Sequence, residues 1–309
     1  MIRVENLSKY YNTFPAVKDL SFEIKEGEIV GLLGLNGSGK TSSLRILSGF
    51  LLPSSGKVLI NGIDSFKEPL QTKKLIGYLP ETPPLYEDLS LKDYLTFVAR
   101  IKGIPDKQID SAIDKVLIQT DTKDVQHKRL AHFSLGYKKR AGIAQALLAS
   151  PRVLILDEPI SGLDPGQIFE MRKLIKSFSG KHTVLISSHI LSELYKTCDR
   201  FLFIKEGCLV YDLDHESLDL ELEKLSRLII SLGKGDREIC ESFLKGLETT
   251  FTFEFLSESF RGFNFLIQAK EEENFKFELI HKLSQSNLSL EALYRQELSL
   301  EDIFNRVHS

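Results

Sequence analysis

The chain has 309 residues, 42% hydrophobic and 27% charged, an ordinary globular composition with room for two domains. Its formal net charge of −3 gives no basic field for nucleic acid, so no nucleic-acid partner is expected. No run of about 20 apolar residues offers a membrane span. The N-terminus enters a strand-like alternation at once instead of a signal peptide. Cys198, Cys208 and Cys240 lack metal-ligand spacing, which predicts reduced thiols in a cytosolic protein.

Residues 1–33 read as strands and turns. Leu20, Phe22 and Ile24 alternate with Ser21, Glu23 and Lys25 before a turn at Glu26-Gly27. The apolar run Glu28 to Leu33 predicts a buried strand, and Leu44, Leu47 and Phe50 fall on one face of a following helix. Between them lies Gly34-Leu35-Asn36-Gly37-Ser38-Gly39-Lys40-Thr41, which fits the G-x-x-x-x-G-K-[ST] pattern of a phosphate-binding loop in its required strand–loop–helix context. The glycines let several N–H groups converge, and these with the helix N-terminus cradle phosphate oxygens. Lys40 adds a charge for the terminal phosphates and the Thr41 hydroxyl suits Mg²⁺. Residues 34–42, Ser42 included, form the expected nucleotide-binding set.

Val58-Leu59-Ile60 predicts a strand followed by an Asn61-Gly62 hairpin turn, and Ile76 to Leu79 a buried strand leading into the loop Pro80-Glu81-Thr82-Pro83-Pro84. From Ser90 to about Ala149 the pattern is helical, with Ser90 and Asp93 as a capping-box variant and further helices at Asp110–Ile118 and Lys138–Leu148. Val153 to Leu156 and Val184 to Ile186 are continuous apolar runs, as in parallel strands covered on both faces. The first ends in Asp157-Glu158. A strand that delivers carboxylates there can hold Mg²⁺ through Asp157 and supply a general base in Glu158; taken alone, the pair also fits a solvated acidic turn.

Phe201 to Ile204, Glu206-Gly207 and Leu209 to Tyr211 predict a closing hairpin, and Asp212 to Lys224 a linker helix. Strands at Arg227–Leu232, Phe251–Phe255, Phe263–Ile267 and Leu288–Tyr294 and helices at Asp236–Leu247 and Glu271–Ser284 give the order βαββαβ, with a final helix from Ser299. The phenylalanine stripes there read as core, in a dimerisation or regulatory module.

On these motifs and their order, residues 1–215 resemble the nucleotide-binding subunits of ABC transporters. Phe133-Ser134-Leu135-Gly136-Tyr137 stands where that family has its signature, written L-S-G-G-Q; Ser134 and Gly136 match, while Phe133, Leu135 and Tyr137 depart. Ser161-Gly162-Leu163-Asp164 resembles the D-loop, whose aspartate couples the two sites of a dimer. Ser187-Ser188-His189 resembles the switch segment, where His189 would touch the γ-phosphate. Tyr11, or its neighbour Tyr10, stands where the family stacks an aromatic on adenine. Glu81 replaces the family's common glutamine, a Mg²⁺ ligand; a carboxylate oxygen can serve that ion too. The Leu-Pro-Glu segment, the Ser-x-Gly-Tyr signature and an ending like Leu300-Glu301-Asp302-Ile303-Phe304 resemble subunits paired with ABC-2 type permeases.

The resemblance implies an α/β P-loop NTPase core of the ABC ATPase type in residues 1–215, a mixed sheet with a helical insert at about 85–150. A small α+β, ferredoxin-like domain is expected at 216–309. It implies an ATPase using ATP and Mg²⁺, dimerising around two nucleotides to drive a separate export-type transmembrane permease, peripheral on the inner face of the cell membrane. The expected roles are Glu158 and His189 in catalysis; Tyr11 and residues 34–42 on nucleotide; Ser134, Gly136 and Tyr137 across the dimer with Asp164 in the D-loop; and Thr41, Glu81 and Asp157 on metal. The rivals are a soluble ABC-type ATPase of repair or translation, disfavoured by the single phosphate loop and the net charge, and an ATP switch without hydrolysis, disfavoured by Glu158 and His189.

Overall fold

Alternating burial shapes the first two strands into one edge of an antiparallel sheet. Strands β1 (Ile2–Tyr11) and β2 (Phe14–Ile24) pair with Ile2 opposite Ile24 and Val4 opposite Phe22, so their apolar side chains share one face. In the computed structural model, which describes residues 1–296 except 226, 234, 261 and 270, the chain divides into two compact units, the first residues 1–216 and the second beginning at Ser217.

In the first unit, β3 (Ile29–Leu33) is buried along its whole length and leads through the glycine-rich loop into α1 (Lys40–Leu47). Strands β4 (Ser55–Ile60) and β5 (Ile63–Asp64) follow, joined at Asn61 and Gly62, both with positive φ (52° and 79°), the backbone a tight hairpin requires. Next come α2 (Pro69–Leu75), β6 (Ile76–Leu79), α3 (Leu91–Ile101), α4 (Asp106–Gln119) and α5 (Leu135–Leu147). After them lie β7 (Val153–Asp157), α6 (Pro165–Lys176), β8 (Thr183–Ser188), α7 (Leu191–Tyr195), β9 (Arg200–Lys205) and β10 (Cys208–Asp214).

The strands form two sheets. The first has the order β2-β1-β4-β5; the second has β10-β9-β3-β8-β7-β6, parallel from β9 to β6 and antiparallel only at β10. A core of Ile2, Leu20, Ile24, Val58, Leu32, Ile155 and Leu202, with Leu44 and Leu47 of α1, joins the two sheets. Helices α3, α4 and α5 pack together, and α5 lies on β6.

Several sequence boundaries are corrected. Helix α4 begins at Asp106, not Asp110, because Pro105 stands at its N-cap and starts the helix four residues earlier. Helix α5 begins at Leu135, not Lys138, with Ser134 as N-cap. β10 continues to Asp214, paired with Arg200, where a helix from Asp212 was expected; α8 runs His215–Leu225. Helices α2, α6 and α7 are absent from the sequence reading: the prolines that open α2 and α6 mark helix starts, and α7 has five residues, too few to show a period.

The second unit contains β11 (Arg227–Gly233), α9 (Arg237–Lys245), β12 (Phe251–Ser259), β13 (Gly262–Ala269), α10 (Glu272–Leu283) and β14 (Ser289–Gln296). Its sheet has the antiparallel order β12-β13-β11-β14, which for a βαββαβ chain is the ferredoxin-like arrangement. Both helices cover one face of that sheet, where Ile230 packs with Phe265, Cys240, Leu244, Phe275 and Leu279, and Phe251, Phe253 and Phe255 border them. Of the phenylalanine stripes, Phe265 is core, and Phe251, Phe253, Phe255 and Phe263 are half-buried against it. The helix expected from Ser299 lies outside the described residues.

Candidate functional site

Parallel strands that end side by side bring together residues far apart in sequence. Leu33 pairs with Ser188, Asp157 with Ser187 and Leu79 with Leu156, so β3, β8, β7 and β6 end next to one another. Just beyond these carboxyl ends come Gly34, His189, Glu158 and Glu81, the region where open α/β sheets bind ligands. A cavity of about 420 Å³ lies there, lined by Tyr11, Phe14, Asn36, Gly37, Gly39, Lys40, Thr41, Ser42, Glu81, Glu158 and His189, together with Ala16 and Ser161.

The loop is built for close backbone approach. Gly39 has φ +104°, and a Cβ there would sit 2.3 Å from the Ala16 carbonyl oxygen. A Cβ on Gly34 would meet Ser38 Oγ at 2.3 Å. Helix α1 has no side-chain cap and no acid in its first turn, so its first N–H groups face the loop without an intrahelical partner. Ser38 Oγ is buried without a hydrogen-bond partner among the described residues. Lys40 is buried and donates to the carbonyls of Gly34 (2.7 Å) and Leu35 (3.1 Å). Burial pulls its pKa down, opposed by the carboxylates of Glu158, Asp157 and Glu81. An uncapped helix start, a buried cation and an orphaned hydroxyl fit a polyphosphate.

One hydroxyl ties the Asp157 carboxylate to the Glu158 main chain. Asp157 is buried, which pushes its pKa up; the Ser187 hydroxyl, donating to its Oδ1 at 2.6 Å, works against that, as does a hydrogen bond with Thr41. Ser187 Oγ also accepts the Glu158 N–H at 2.9 Å. Glu158 has φ +48°, unusual for a side chain of its size, and its Oε2 lies 3.0 Å from His189 Nδ1. Its carbonyl accepts from Lys139 Nζ at 2.8 Å, and the Glu81 carbonyl from the same Nζ at 2.5 Å.

Mg²⁺ binds through one or two carboxylates, waters and substrate phosphates more often than in an all-protein cage. Thr41, Asp157 and Glu81 fit that pattern, and among the described residues no three His, Cys, Asp or Glu side chains cluster as a cage.

The signature residues lie elsewhere. Ser134 caps α5, its Oγ facing the Tyr137 N–H at 3.5 Å, and Ser134, Gly136, Tyr137 and Asp164 line a second cavity of about 450 Å³. Asp164 caps α6 by accepting from the Gln167 N–H at 2.9 Å. Of the tyrosine pair, Tyr11 lines the first cavity and Tyr10 does not. Sequence reasoning did not single out Phe14, Lys139 or the double role of Ser187. The segment Ser187-Ser188-His189 was the available signal for the last; Phe14 and Lys139 had none.

A family profile described as ABC transporter matches residues 17–161. The bacitracin transport ATP-binding protein BcrA of Bacillus licheniformis is 41% identical over 221 residues, 71% of each chain. The uncharacterized ABC transporter ATP-binding protein YcbN of Bacillus subtilis is 32% identical over 306 residues, 98% of this chain and 95% of its own. The structure of cbiO1 from Clostridium perfringens, part of the ABC transporter complex cbiONQ, shares 30% identity at a TM-score of 0.65, covering 72% of this chain and 93% of that one. With a phosphate loop, an Asp-Glu strand end and a histidine converging on one cavity, and with one relative matching across nearly the whole chain, this protein belongs to the ABC transporter family as an ATP-binding subunit and ATPase.

Proposed function

We propose that this subunit closes as a dimer around two Mg-ATP and thereby drives a separate membrane permease of the ABC-2 type, in the direction of export. The observation that carries the reading is the separation of two half-sites. Lys40, Glu158 and His189 line one cavity, while Ser134, Gly136 and Asp164 line another. A second copy offering its Ser134 end completes the first cavity. The helix N-terminus behind Ser134 carries free N–H groups and suits the terminal phosphate.

Within the site, the α1 N-terminus and Lys40 bind phosphate oxygens and Tyr11 stacks on the base. Thr41, Asp157 and Glu81 would hold Mg²⁺, which when bound would neutralise phosphate charge. Glu158 takes the proton of the attacking water, and His189, 3.0 Å from it, orients that water and the carboxylate. No helix among the described residues is long and apolar enough to cross a membrane, so a transporter role calls for a permease partner, with this chain peripheral on the inner face of the cell membrane. Transport is supported by the similarity to BcrA, named for bacitracin transport; the direction of export rests on the resemblance of the Glu81 and Ser134–Tyr137 segments to subunits paired with ABC-2 type permeases. The division into an ATP-binding domain at 1–215 and an accessory domain at 216–309 belongs to the same reading, the accessory domain serving dimerisation or regulation.

The experiment is size-exclusion chromatography of Glu158→Gln with and without Mg-ATP. A shift from monomer to dimer with nucleotide is expected. Bound ATP without a shift would refute self-closure and call for a different partner subunit.

A further inference from the structure

Lys139 is a buried cation that the chemistry above does not use; only 2% of it is exposed. Its position follows from how closely α5 lies on β6. A Cβ on Gly142 would be 2.4 Å from Leu79 Cδ1, and one on Gly77 would be 2.5 Å from the Ala146 carbonyl oxygen, so helix and strand meet through two glycines. Lys139 stands three residues before Gly142, on the same helix face, and therefore over the ends of β6 and β7. There its Nζ donates to two main-chain carbonyls, Glu81 at 2.5 Å and Glu158 at 2.8 Å.

Burial disfavours a charged lysine, and an apolar side chain in such a place often costs a protein less, so stability alone does not account for it. Its two acceptors belong to the loop after β6 and the turn after β7. The second is the residue with φ +48°, a conformation that persists only where the surroundings over-determine it. Three contacts do so: Ser187 Oγ takes the Glu158 N–H, Lys139 donates to the Glu158 carbonyl, and His189 meets the carboxylate.

We infer that Lys139 is a positioning residue for hydrolysis, a staple that fixes the Glu81 loop to the Glu158 peptide and holds that peptide in the left-handed conformation from which the carboxylate meets His189. The inference rests on the reading of Glu158 as base. It also ties the start of α5, where Ser134 lies five residues before Lys139, to the turn that carries Glu158.

The test uses the full chain and its Mg-ATPase, with ATP affinity measured separately by equilibrium binding and melting temperature as a control. Lys139→Met is expected to lower kcat by about tenfold or more, since small misplacements of a reacting group cost up to about 100-fold, while KM and Kd stay within about twofold. Because the acceptor at residue 81 is main chain, the same loss is expected in a Glu81→Gln background. A kcat within about twofold of wild type overturns the staple. So does a loss that disappears with Glu81→Gln, which would assign Lys139 to charge balance. If Lys139→Met does not fold, Lys139→Gln decides: its amide is one atom shorter, so lower kcat at unchanged KM is expected, and wild-type kcat overturns the proposal. Glu158→Gln hydrolysing at the wild-type rate would instead sink the reading of Glu158; a stalled Glu158→Gln beside an unaffected Lys139→Met sinks the staple alone.

Discussion

Glu158 Oε2 and His189 Nδ1 lie 3.0 Å apart although they are 31 positions apart in the chain. The contact exists because β7 and β8 are parallel neighbours that end together, Asp157 opposite Ser187. Replacing Glu158 by Gln keeps the shape but removes the carboxylate proposed as the proton acceptor. ATPase activity is expected to fall by about 10² to 10⁴, the range for losing a general base, with ATP affinity retained. His189→Ala is expected to reduce kcat with little change in binding. Steady-state hydrolysis beside equilibrium nucleotide binding separates these effects, and wild-type turnover in Glu158→Gln would remove Glu158 from catalysis.

Gly39→Ala tests the loop. The substitution meets both a left-handed backbone at φ +104° and the Ala16 carbonyl 2.3 Å away. A cost of about 2 to 3 kcal/mol, or a distorted loop that no longer binds ATP, is expected. Denaturant unfolding and nucleotide binding together check this; unchanged values in both would show that the loop accommodates a side chain.

Ser134→Ala separates capping from catalysis. Loss of an N-cap serine costs about 1 kcal/mol of stability. The Ser134 cavity is distinct from that of Lys40, so ATP binding to the isolated subunit is expected to stay the same while hydrolysis falls. Weakened binding in a monomer would instead place Ser134 in the site of its own chain.

Lys102 gives the first unit a pH-dependent stability. Burial pulls its pKa down to about 8, and its Nζ donates to the Gln145 carbonyl at 2.8 Å near the end of α5. In the unfolded chain a lysine titrates near pH ~10.4. Between those values the unfolded chain holds more protons, so this residue makes stability rise with pH; its charge is a penalty below pH 8 that is relieved above it. From about pH 8 to about pH 10 wild type is expected to gain on the order of 2 kcal/mol relative to Lys102→Met. Urea unfolding of both proteins at the two pH values measures this, and parallel pH profiles would contradict it.

Contiguous chemistry was legible early. The phosphate loop and Asp157-Glu158 each declare themselves within a few residues, because a turn or a strand end is set by local backbone requirements. The βαββαβ order could be read from alternation at Phe251 to Phe255 and Phe263 to Ile267. Helix α7 could not, since five residues carry no period. Lys139 gave no sign, because a lysine beside Lys138 at the start of a helix reads as solvated surface.

Side-chain type and local spacing are properties of the chain, and they already name the residues with the chemistry to hold phosphate and move a proton. Which of those residues meet is a matter of folding. Strand order placed Lys40, Glu158 and His189 in one cavity and left Ser134 and Asp164 in another. The approach of α5 to β6 at Gly142 and Gly77 turned Lys139 inward, onto the carbonyls of Glu81 and Glu158. Those outcomes depend on sheet pairing and helix packing between distant segments, and no local pattern of residues encodes them.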